Sequence, residues 1–134
     1  MNSEKNHLTI PGVKNVRQGK VRTIYELPEG NLLFVATDRI SAFDVVLPTN
    51  IPQKGRVLTQ VSNFWFETLE SIPEHHILEK DTSNYPEYLN AFESELIGRS
   101  VIVKKTEVIP FECIVRGYIS GSLWKAYKSG KSPY

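Results

Sequence analysis

The chain has 134 residues, 23% of them charged, and a net charge of +1, which is the size and composition of one folded domain. Its single cysteine, Cys113, excludes an internal disulfide and a cysteine-based zinc site. The sequence shows no block of Lys or Arg, no signal peptide and no apolar run of roughly 18 to 20 residues, so we expect a cytoplasmic protein without a nucleic-acid or membrane partner.

Two apolar segments near the N-terminus predict a β-hairpin. Residues 20–27 (KVRTIYEL) alternate in the manner of a strand, and residues 32–37 (LLFVAT) form a second apolar run. The PEGN sequence between them has strong turn chemistry, because proline presets its φ and glycine and asparagine tolerate positive φ. A third strand is predicted over residues 43–47, where it ends against Pro48.

A helix is predicted after the breaker-rich segment 48–55, ending near Pro73. Its apolar positions recur at spacings of three and four, at Val57, Leu58, Val61, Phe64, Trp65 and Leu69. Two members of the Phe64, Trp65 and Phe66 cluster fall on this stripe, which favours a core role over a base-stacking platform.

Shorter elements follow. Residues 76–80 predict a strand, 81–86 a loop and 86–96 a short helix stopped by Gly98. Residues 99–108 and 111–119 predict two strands, and residues 122–128 the start of a helix. Strands and helices do not alternate, so the order favours an α+β fold with an antiparallel sheet and flanking helices.

The first candidate motif, RQGKVRTIY, places Gly19 before a strand that carries Lys20 and Arg22. Glycine allows backbone N–H groups to approach a polyphosphate, and the two cations would neutralise it. The alternative interpretation is an ordinary turn beside a solvated cationic strand.

The second motif, TDRISAFD, concentrates Asp38, Arg39, Ser41 and Asp44 between two apolar strands. Loops held by a rigid sheet are where binding residues concentrate, and these side chains suit a ribose, a phosphate or an amine. The alternative is a capped turn with an internal Asp–Arg pair.

The third motif, VIPFECIVRGYISGS, places Glu112 and Arg116 on the same face of an apolar strand. Charged side chains in such a strand indicate a ligand or a salt bridge. Gly121 and Ser122 then open a helix whose N-terminus would bind an anion. The alternative is a structural Glu–Arg pair followed by an ordinary N-cap at Ser122.

Other reactive residues favour structural roles. His75 and His76 lack a third ligand at metal spacing and are predicted to be surface histidines. Cys113 is predicted to be a small apolar strand residue, and no Ser/His/Asp or Cys/His arrangement indicates nucleophilic catalysis. The sequence therefore names no metal ligand and no catalytic nucleophile.

In this order, GKVRTIY, DRISAFDV and IPFECIVRGYISGSLWKAY resemble the phosphoribosylaminoimidazole-succinocarboxamide synthase (SAICAR synthetase) family, over residues 19–134. The resemblance implies the N-terminal portion of an ATP-dependent ligase of purine biosynthesis, with a fold similar to ATP-grasp proteins and the sheet lobe of kinases. It further implies a sheet-rich nucleotide-binding lobe over 1–115 and the start of a substrate- and metal-binding lobe over 116–134. We expect a longer protein to continue beyond Tyr134, and the chain alone to be an inactive fragment.

The family reaction joins L-aspartate to carboxyaminoimidazole ribonucleotide through an acyl phosphate, with ATP and Mg²⁺. By the resemblance, the ATP-binding residues are Gly19, Lys20, Val21, Arg22, Lys104 and Lys105, with backbone at 105–108 reading adenine. The substrate-binding residues are Ser41, Asp44, Glu112, Arg116, Gly121 and Ser122. The competing hypotheses are a non-enzymatic nucleotide-binding lobe and a plain interaction domain.

Overall fold

The computed structural model describes residues 7–69, 74–111, 113–115 and 117–131. A five-stranded sheet has the order β1-β2-β3-β7-β6, and β4 and β5 form a separate small hairpin. The strands are β1 (Lys14–Gln18), β2 (Arg22–Glu26), β3 (Leu32–Ala36), β4 (Ser41–Ala42), β5 (Val45–Val46), β6 (Ile77–Glu79) and β7 (Ser100–Val103). The α-helices are α1 (Lys54–Thr68), α2 (Glu93–Leu96) and α3 (Gly121–Lys128), and two 3-10 helices span Thr82–Asn84 and Glu87–Phe92.

The predicted α+β class and the β2–β3 hairpin are confirmed. All neighbouring strands of the large sheet run antiparallel, and β2 pairs with β3 from Arg22 opposite Ala36 to Glu26 opposite Leu32. The PEGN turn closes through a bond of 2.9 Å from the Leu27 N–H to the Asn31 carbonyl, with Gly30 at φ 83°. β1 was not predicted, and Lys20 lies before β2 rather than within the longer strand expected over 20–27.

One face of the sheet carries the hydrophobic core. Alternate side chains of β2, β3 and β7 are buried there and pack against the 3-10 helices, α2 and the N-terminal segment. The buried residues of this core are Ile10, Tyr25, Leu27, Leu33, Val35, Tyr85, Leu89, Leu96 and Ile102. The Tyr25 hydroxyl accepts a hydrogen bond of 2.7 Å from the Leu8 N–H, which ties that segment to the core. Burial of Tyr25 raises the pKa of its hydroxyl, with the Leu8 N–H acting in the opposite direction.

Helix α1 crosses the opposite face, and its first turn touches the end of β3. Its N-cap residue, Gln53, is left-handed at φ 65° and makes no side-chain capping bond. The cap comes instead from Asp38, whose Oδ1 accepts the Gly55 N–H at 2.9 Å. A carboxylate at this position satisfies an otherwise free N–H and offsets the positive end of the helix dipole.

The α1 prediction is confirmed for the helix and wrong for its core role. Phe64 and Trp65 are 55% and 51% exposed, and Val57, Leu58 and Val61 are exposed as well. Phe66 is half-buried and contacts the rings of His75 and His76. The apolar stripe therefore faces outward in this chain, because the side of α1 toward the sheet carries the polar residues Thr59, Ser62 and Asn63.

Three strand predictions need correction. The segment predicted as a strand over 43–47 contains a tight turn and only the two-residue strand β5, and β7 ends at Val103 rather than near 108. The strand predicted over 111–119 is absent among its described residues, and Cys113 is exposed. An extended segment becomes a strand only when a neighbour pairs with its backbone, and these residues join neither sheet.

The C-terminal part of the described chain lies at the surface. The helix predicted over 122–128 is confirmed as α3, which has no buried residue. None of the described residues from Lys104 to Lys131 is buried. Glu112 and Arg116 lie outside the described residues, so their predicted ligand-binding role stays a prediction, as does the alternative of a structural pair between them. No helix in the described ranges has the length and apolarity to cross a membrane.

Candidate functional site

A tight turn links β1 to β2 and contains the first motif. The Gly19 N–H donates to the Arg22 carbonyl at 2.8 Å, so the chain reverses over Lys20 and Val21. Lys20 is exposed in the bend, while Arg22 is the first residue of β2. The predicted cationic pair is therefore split between the turn and the strand.

The turn is held from behind by Thr37 and Arg39, which follow β3. The backbone N–H and the Oγ1 of Thr37 donate to the Val21 carbonyl at 3.0 and 2.9 Å. The Arg39 guanidinium donates from Nη2 to the Gly19 carbonyl and from Nε to Thr37 Oγ1, both at 3.1 Å. Arg39 is buried, and no sequence pattern had distinguished it from a surface arginine.

The second motif meets the first through an ion pair. Phe43 and Asp44 occupy the tip of the β4–β5 hairpin with φ of 49° and 66°, the backbone of a two-residue primed turn. The Asp44 carboxylate accepts from Lys20 Nζ at 2.5 Å. That hydrogen bond and the charge of Lys20 lower the pKa of Asp44. Ser41 is half-buried in β4 opposite Val46.

Asp38 of the same motif has a structural role. It does not pair with its neighbour Arg39; its Oδ2 lies 3.3 Å from Arg99 Nη2, while Oδ1 caps α1. Burial acts to raise the pKa of Asp38, but the Gly55 N–H and the charge of Arg99 outweigh it and the pKa is lowered. The alternative interpretation of this loop, an internal Asp–Arg pair, is therefore wrong, because Asp38 pairs with Arg99 from a distant part of the chain.

A groove of about 310 Å³ lies between α1 and the sheet face that carries Arg22, Phe34 and Val101. Lys54 and His76 also line it. Burial, with a smaller contribution from His75, lowers the pKa of His76. A larger cavity of about 420 Å³ opens on the core side near Thr23 and Glu95; its lining includes Asp38 and Arg39 of the second motif but none of the ATP-binding or substrate-binding residues implied by the family resemblance. Size alone therefore does not select the site.

Lys104 and Lys105 follow β7 at the far end of the sheet from the 19–22 turn. Lys105 Nζ lies 2.5 Å from Glu26 Oε1, at the end of β2 opposite to Arg22. The backbone N–H of exposed Lys104 donates to the His76 carbonyl at 2.8 Å. Because Glu26 and Arg22 lie on the same face of β2, this sheet face extends from the 19–22 turn at one end to the segment after β7, which begins at Lys104, at the other.

The third motif is described only in part. Gly121 and Ser122 begin α3 and are exposed. Ser120 occupies the N-cap position without a side-chain capping bond, so the alternative interpretation of Ser122 as an ordinary N-cap is wrong. The described residues contain no group of three or more His, Cys, Asp or Glu side chains arranged to hold a metal ion.

Known proteins share both the sequence and the fold. The SAICAR synthetase family pattern matches residues 15–133. The phosphoribosylaminoimidazole-succinocarboxamide synthase of Thermodesulfovibrio yellowstonii is 56% identical over 119 residues, which are 89% of this chain and 40% of that protein. The synthase of Desulfosudis oleivorans is 47% identical over 126 residues, which are 94% of this chain and 43% of that protein.

A solved structure agrees with these relatives. The SAICAR synthase of Saccharomyces cerevisiae, in complex with SAICAR, superposes with a TM-score of 0.81 at 43% identity, over 92% of this chain and 44% of the yeast chain. This chain thus spans about two fifths of the length of the curated relatives that it matches. The family pattern covers nearly all of the chain and a solved member shares its fold, so the chain belongs to the SAICAR synthetase family.

Proposed function

We propose that this chain is the nucleotide-binding region of an ATP-dependent ligase that joins L-aspartate to carboxyaminoimidazole ribonucleotide in purine biosynthesis. The observation that carries the proposal is the Lys20–Asp44 ion pair, which brings the cationic turn of the first motif to the hairpin of the second. Family membership and the likeness to the yeast enzyme support it. The single unpaired cysteine supports a cytoplasmic location.

The chemistry requires a carboxylate to become a good acyl donor. ATP would transfer its terminal phosphoryl group to the ribonucleotide carboxylate, and the aspartate amine would then displace phosphate, leaving ADP, phosphate and the amide. Positive charge must offset the charge on the transferring group. We assign this role in the chain to Lys20 and Arg22, with Gly19 and Val21 offering backbone to the phosphates.

The adenine end of the nucleotide would lie at the other end of the same sheet face. Lys104, Lys105 and the backbone of 105–108 follow β7 there, and the link is exposed and free of regular structure. The family resemblance implies that this segment reads adenine, and the order β1-β2-β3-β7-β6 places β7, which leads into it, next to β3.

The ribonucleotide would lie between the hairpin and the third motif. We assign it the polar side chains and turn residues of both, Ser41, Asp44, Glu112, Arg116, Gly121 and Ser122. The exposed N-terminus of α3 supports a phosphate contact, because its first backbone N–H groups have no partner within the helix. The proposed lobe boundary between residues 115 and 116 passes through this motif.

Mg²⁺ accompanies ATP in reactions of this class and would neutralise the phosphates. Magnesium is usually bound by one or two carboxylates. In the described ranges no three metal-ligating side chains come together, and the Asp44 carboxylate is engaged by Lys20. We therefore assign no magnesium ligand to this chain.

A chimera tests the proposal. Residues 15–133 replace the matching region of the T. yellowstonii synthase, whose 56% identity favours compatible packing. Purified chimera is incubated with ATP, Mg²⁺, L-aspartate and carboxyaminoimidazole ribonucleotide, and ADP and succinocarboxamide are followed. We expect turnover within about tenfold of the parent, and loss of at least about tenfold when Lys20→Met is added, because a charge-assisted phosphate contact is removed.

The competing function is a nucleotide-binding lobe without transfer chemistry, which the lack of a metal-ligating cluster among the described residues favours. A chimera that melts cooperatively and binds ATP but forms no product would support that alternative. A chimera that binds no ATP while remaining folded would contradict both functions.

A further inference from the structure

We propose that Thr37 and Arg39 are positioning residues for the phosphates of a nucleoside triphosphate. Both hold the backbone of the 19–21 turn in place, and Arg39 adds positive charge behind it. The inference rests on the proposed function and adds two residues of the second motif that are outside the ATP-binding set implied by the family resemblance. In the turn, the backbone carbonyl groups and the backbone N–H groups differ in whether they have hydrogen-bond partners.

The carbonyl groups at both ends of the turn are engaged by the interior. Val21 O accepts from the backbone N–H and Oγ1 of Thr37, and Gly19 O accepts from Arg39 Nη2 at 3.1 Å. Within the described ranges, nothing accepts from the backbone N–H of Lys20 or Val21. A carbonyl beside a phosphate would repel it, whereas free N–H groups attract it. By engaging the two carbonyls, Thr37 and Arg39 leave the backbone N–H groups of the turn available to a phosphate.

Arg39 adds a charge as well as two hydrogen bonds. It is only 8% exposed, and no carboxylate of the described part of the chain lies within ion-pair distance of its guanidinium. Its neighbour Asp38 is occupied by Arg99 and the α1 N-terminus. A buried charge without a counter-ion is costly. An anion bound in front of the turn would offset that cost, and the field of Arg39 would contribute to its affinity.

Lys20 supplies the exposed partner of this buried charge. In the ligand-free chain its ammonium is neutralised by Asp44, whereas Arg39 keeps its charge uncompensated behind the same turn. A triphosphate would draw Lys20 from Asp44 and would lie in front of two cations, Lys20 in the turn and Arg39 behind it. The two residues differ in accessibility, since only Lys20 is able to touch the ligand directly.

The competing interpretation treats Arg39 as a structural brace with no effect on ligand binding. The two interpretations differ in which part of a nucleotide they affect. A positioning residue for phosphates alters affinity for ATP and leaves affinity for adenosine unchanged, because adenosine has the base and ribose but no phosphate. If Arg39 is only a brace, its loss disturbs the sheet and lowers the affinity for ATP and for adenosine together.

The test measures dissociation constants of the full chain for ATP and for adenosine by calorimetry, at low and at physiological salt. Arg39→Met should weaken ATP about tenfold at low salt and should lose part of the salt dependence, with adenosine affinity unchanged. Arg39→Lys retains the charge without the planar pair of donors, so its affinity for ATP should lie between those of wild type and Arg39→Met. Thr37→Val should weaken ATP without altering the salt dependence.

Lys80→Met is the matched control, because it removes the same unit of charge from an exposed ion pair with Glu67, remote from the turn. It should change ATP affinity by less than about twofold. Unchanged ATP affinity in Arg39→Met, or equal losses for ATP and adenosine, would overturn the inference alone. Failure of the wild-type chain to bind ATP would overturn the assigned nucleotide site and this inference together. ATP binding with the expected variant effects, alongside an inactive chimera, would leave the inference intact and remove the ligase function.

Discussion

Gly55 has no side chain at the point where α1 touches β3, and the contact depends on that absence. A Cβ at this position would lie 2.6 Å from the Ala36 carbonyl oxygen and 3.2 Å from Asp38 Oδ1. Real Cβ atoms do not approach backbone oxygen so closely, so any side chain would push the helix away from the sheet. The same close approach allows the Gly55 N–H to reach Asp38.

We expect Gly55→Ala to lower the free energy of unfolding by about 2 kcal/mol or more, despite the better helix propensity of alanine. Chemical denaturation followed by circular dichroism measures the change. Gly117→Ala is the matched control, because a Cβ there would meet no atom within 4 Å. Equal stabilities of the two variants would show that α1 moves away from β3 without cost.

The exposed Lys20–Asp44 ion pair is important for the two segments that it joins rather than for the stability of the fold. Surface ion pairs contribute little to stability, since water and salt screen them. The contact is informative through its position, because it joins segments 24 residues apart in sequence. At the tip of the same hairpin, Phe43 has φ of 49° and a fully exposed ring. Such a backbone is strained for a bulky residue.

At the scale of elements, α1 depends on a cap from a distant part of the chain. Asp38 follows β3, caps the helix at Gly55 and pairs with Arg99 before β7, so one carboxylate connects three elements. Its side chain is 21% exposed, which limits screening of the pair by solvent. The site is built on this connection, because Thr37 and Arg39 on either side of Asp38 hold the 19–21 turn.

The connection predicts a pH dependence of stability. Because the pKa of Asp38 is lowered in the folded chain, its contribution is complete above the ordinary carboxyl pKa and is lost as the pH falls through the folded value. Asp38→Asn keeps an acceptor for Gly55 but cannot form the ion pair with Arg99. We expect it to destabilise the chain by about 1 to 3 kcal/mol at pH 7, and by progressively less as the pH falls below the ordinary carboxyl pKa.

Urea denaturation at pH 7, 5 and 3 measures this difference. Glu87→Gln, which neutralises an exposed carboxylate on the second 3-10 helix, is the control and should follow the wild type at each pH. A stability difference between Asp38→Asn and wild type that is constant with pH would show that the charge of Asp38 is unimportant.

At the scale of the whole molecule, burial is uneven. The core lies on one face of the sheet, while α1 and the residues after Lys104 present large apolar side chains to solvent. Val108, Ile109, Phe111 and Val115 are exposed, and so are Trp65 and Trp124. Apolar surface of this extent on one chain is typical of a surface that other protein covers.

We expect the isolated chain to bind the dye ANS and to associate at high concentration, because this apolar surface is accessible. Both tryptophans should be quenched by iodide, since Trp65 and Trp124 are 51% and 45% exposed. In the T. yellowstonii chimera we expect ANS binding and iodide quenching to fall. Tryptophans shielded equally in the chain and in the chimera would contradict the exposed arrangement.

The local chemistry of the sequence was sufficient to predict much of the fold and to recognise the motifs. Alternation in 20–27 and the PEGN turn predicted the β2–β3 hairpin, and glycine after 86–96 predicted where that helical segment ends, at Gly98 with φ of 71°. These features depend on neighbours in sequence, through φ preferences and side-chain period. The motif residues were recognisable for the same reason, since their order and spacing are properties of the chain.

Only the tertiary structure decided how those residues are used. Asp38 caps α1, Arg39 is buried behind the 19–21 turn, and Asp44 meets Lys20, and each contact joins residues at least 17 positions apart. The stripe of α1 and the segment 111–119 had the patterns of a core helix and a strand, but burial and strand pairing require a surface to pack or pair against. A pattern along the chain states which face is apolar, whereas the arrangement of distant segments determines whether anything covers it.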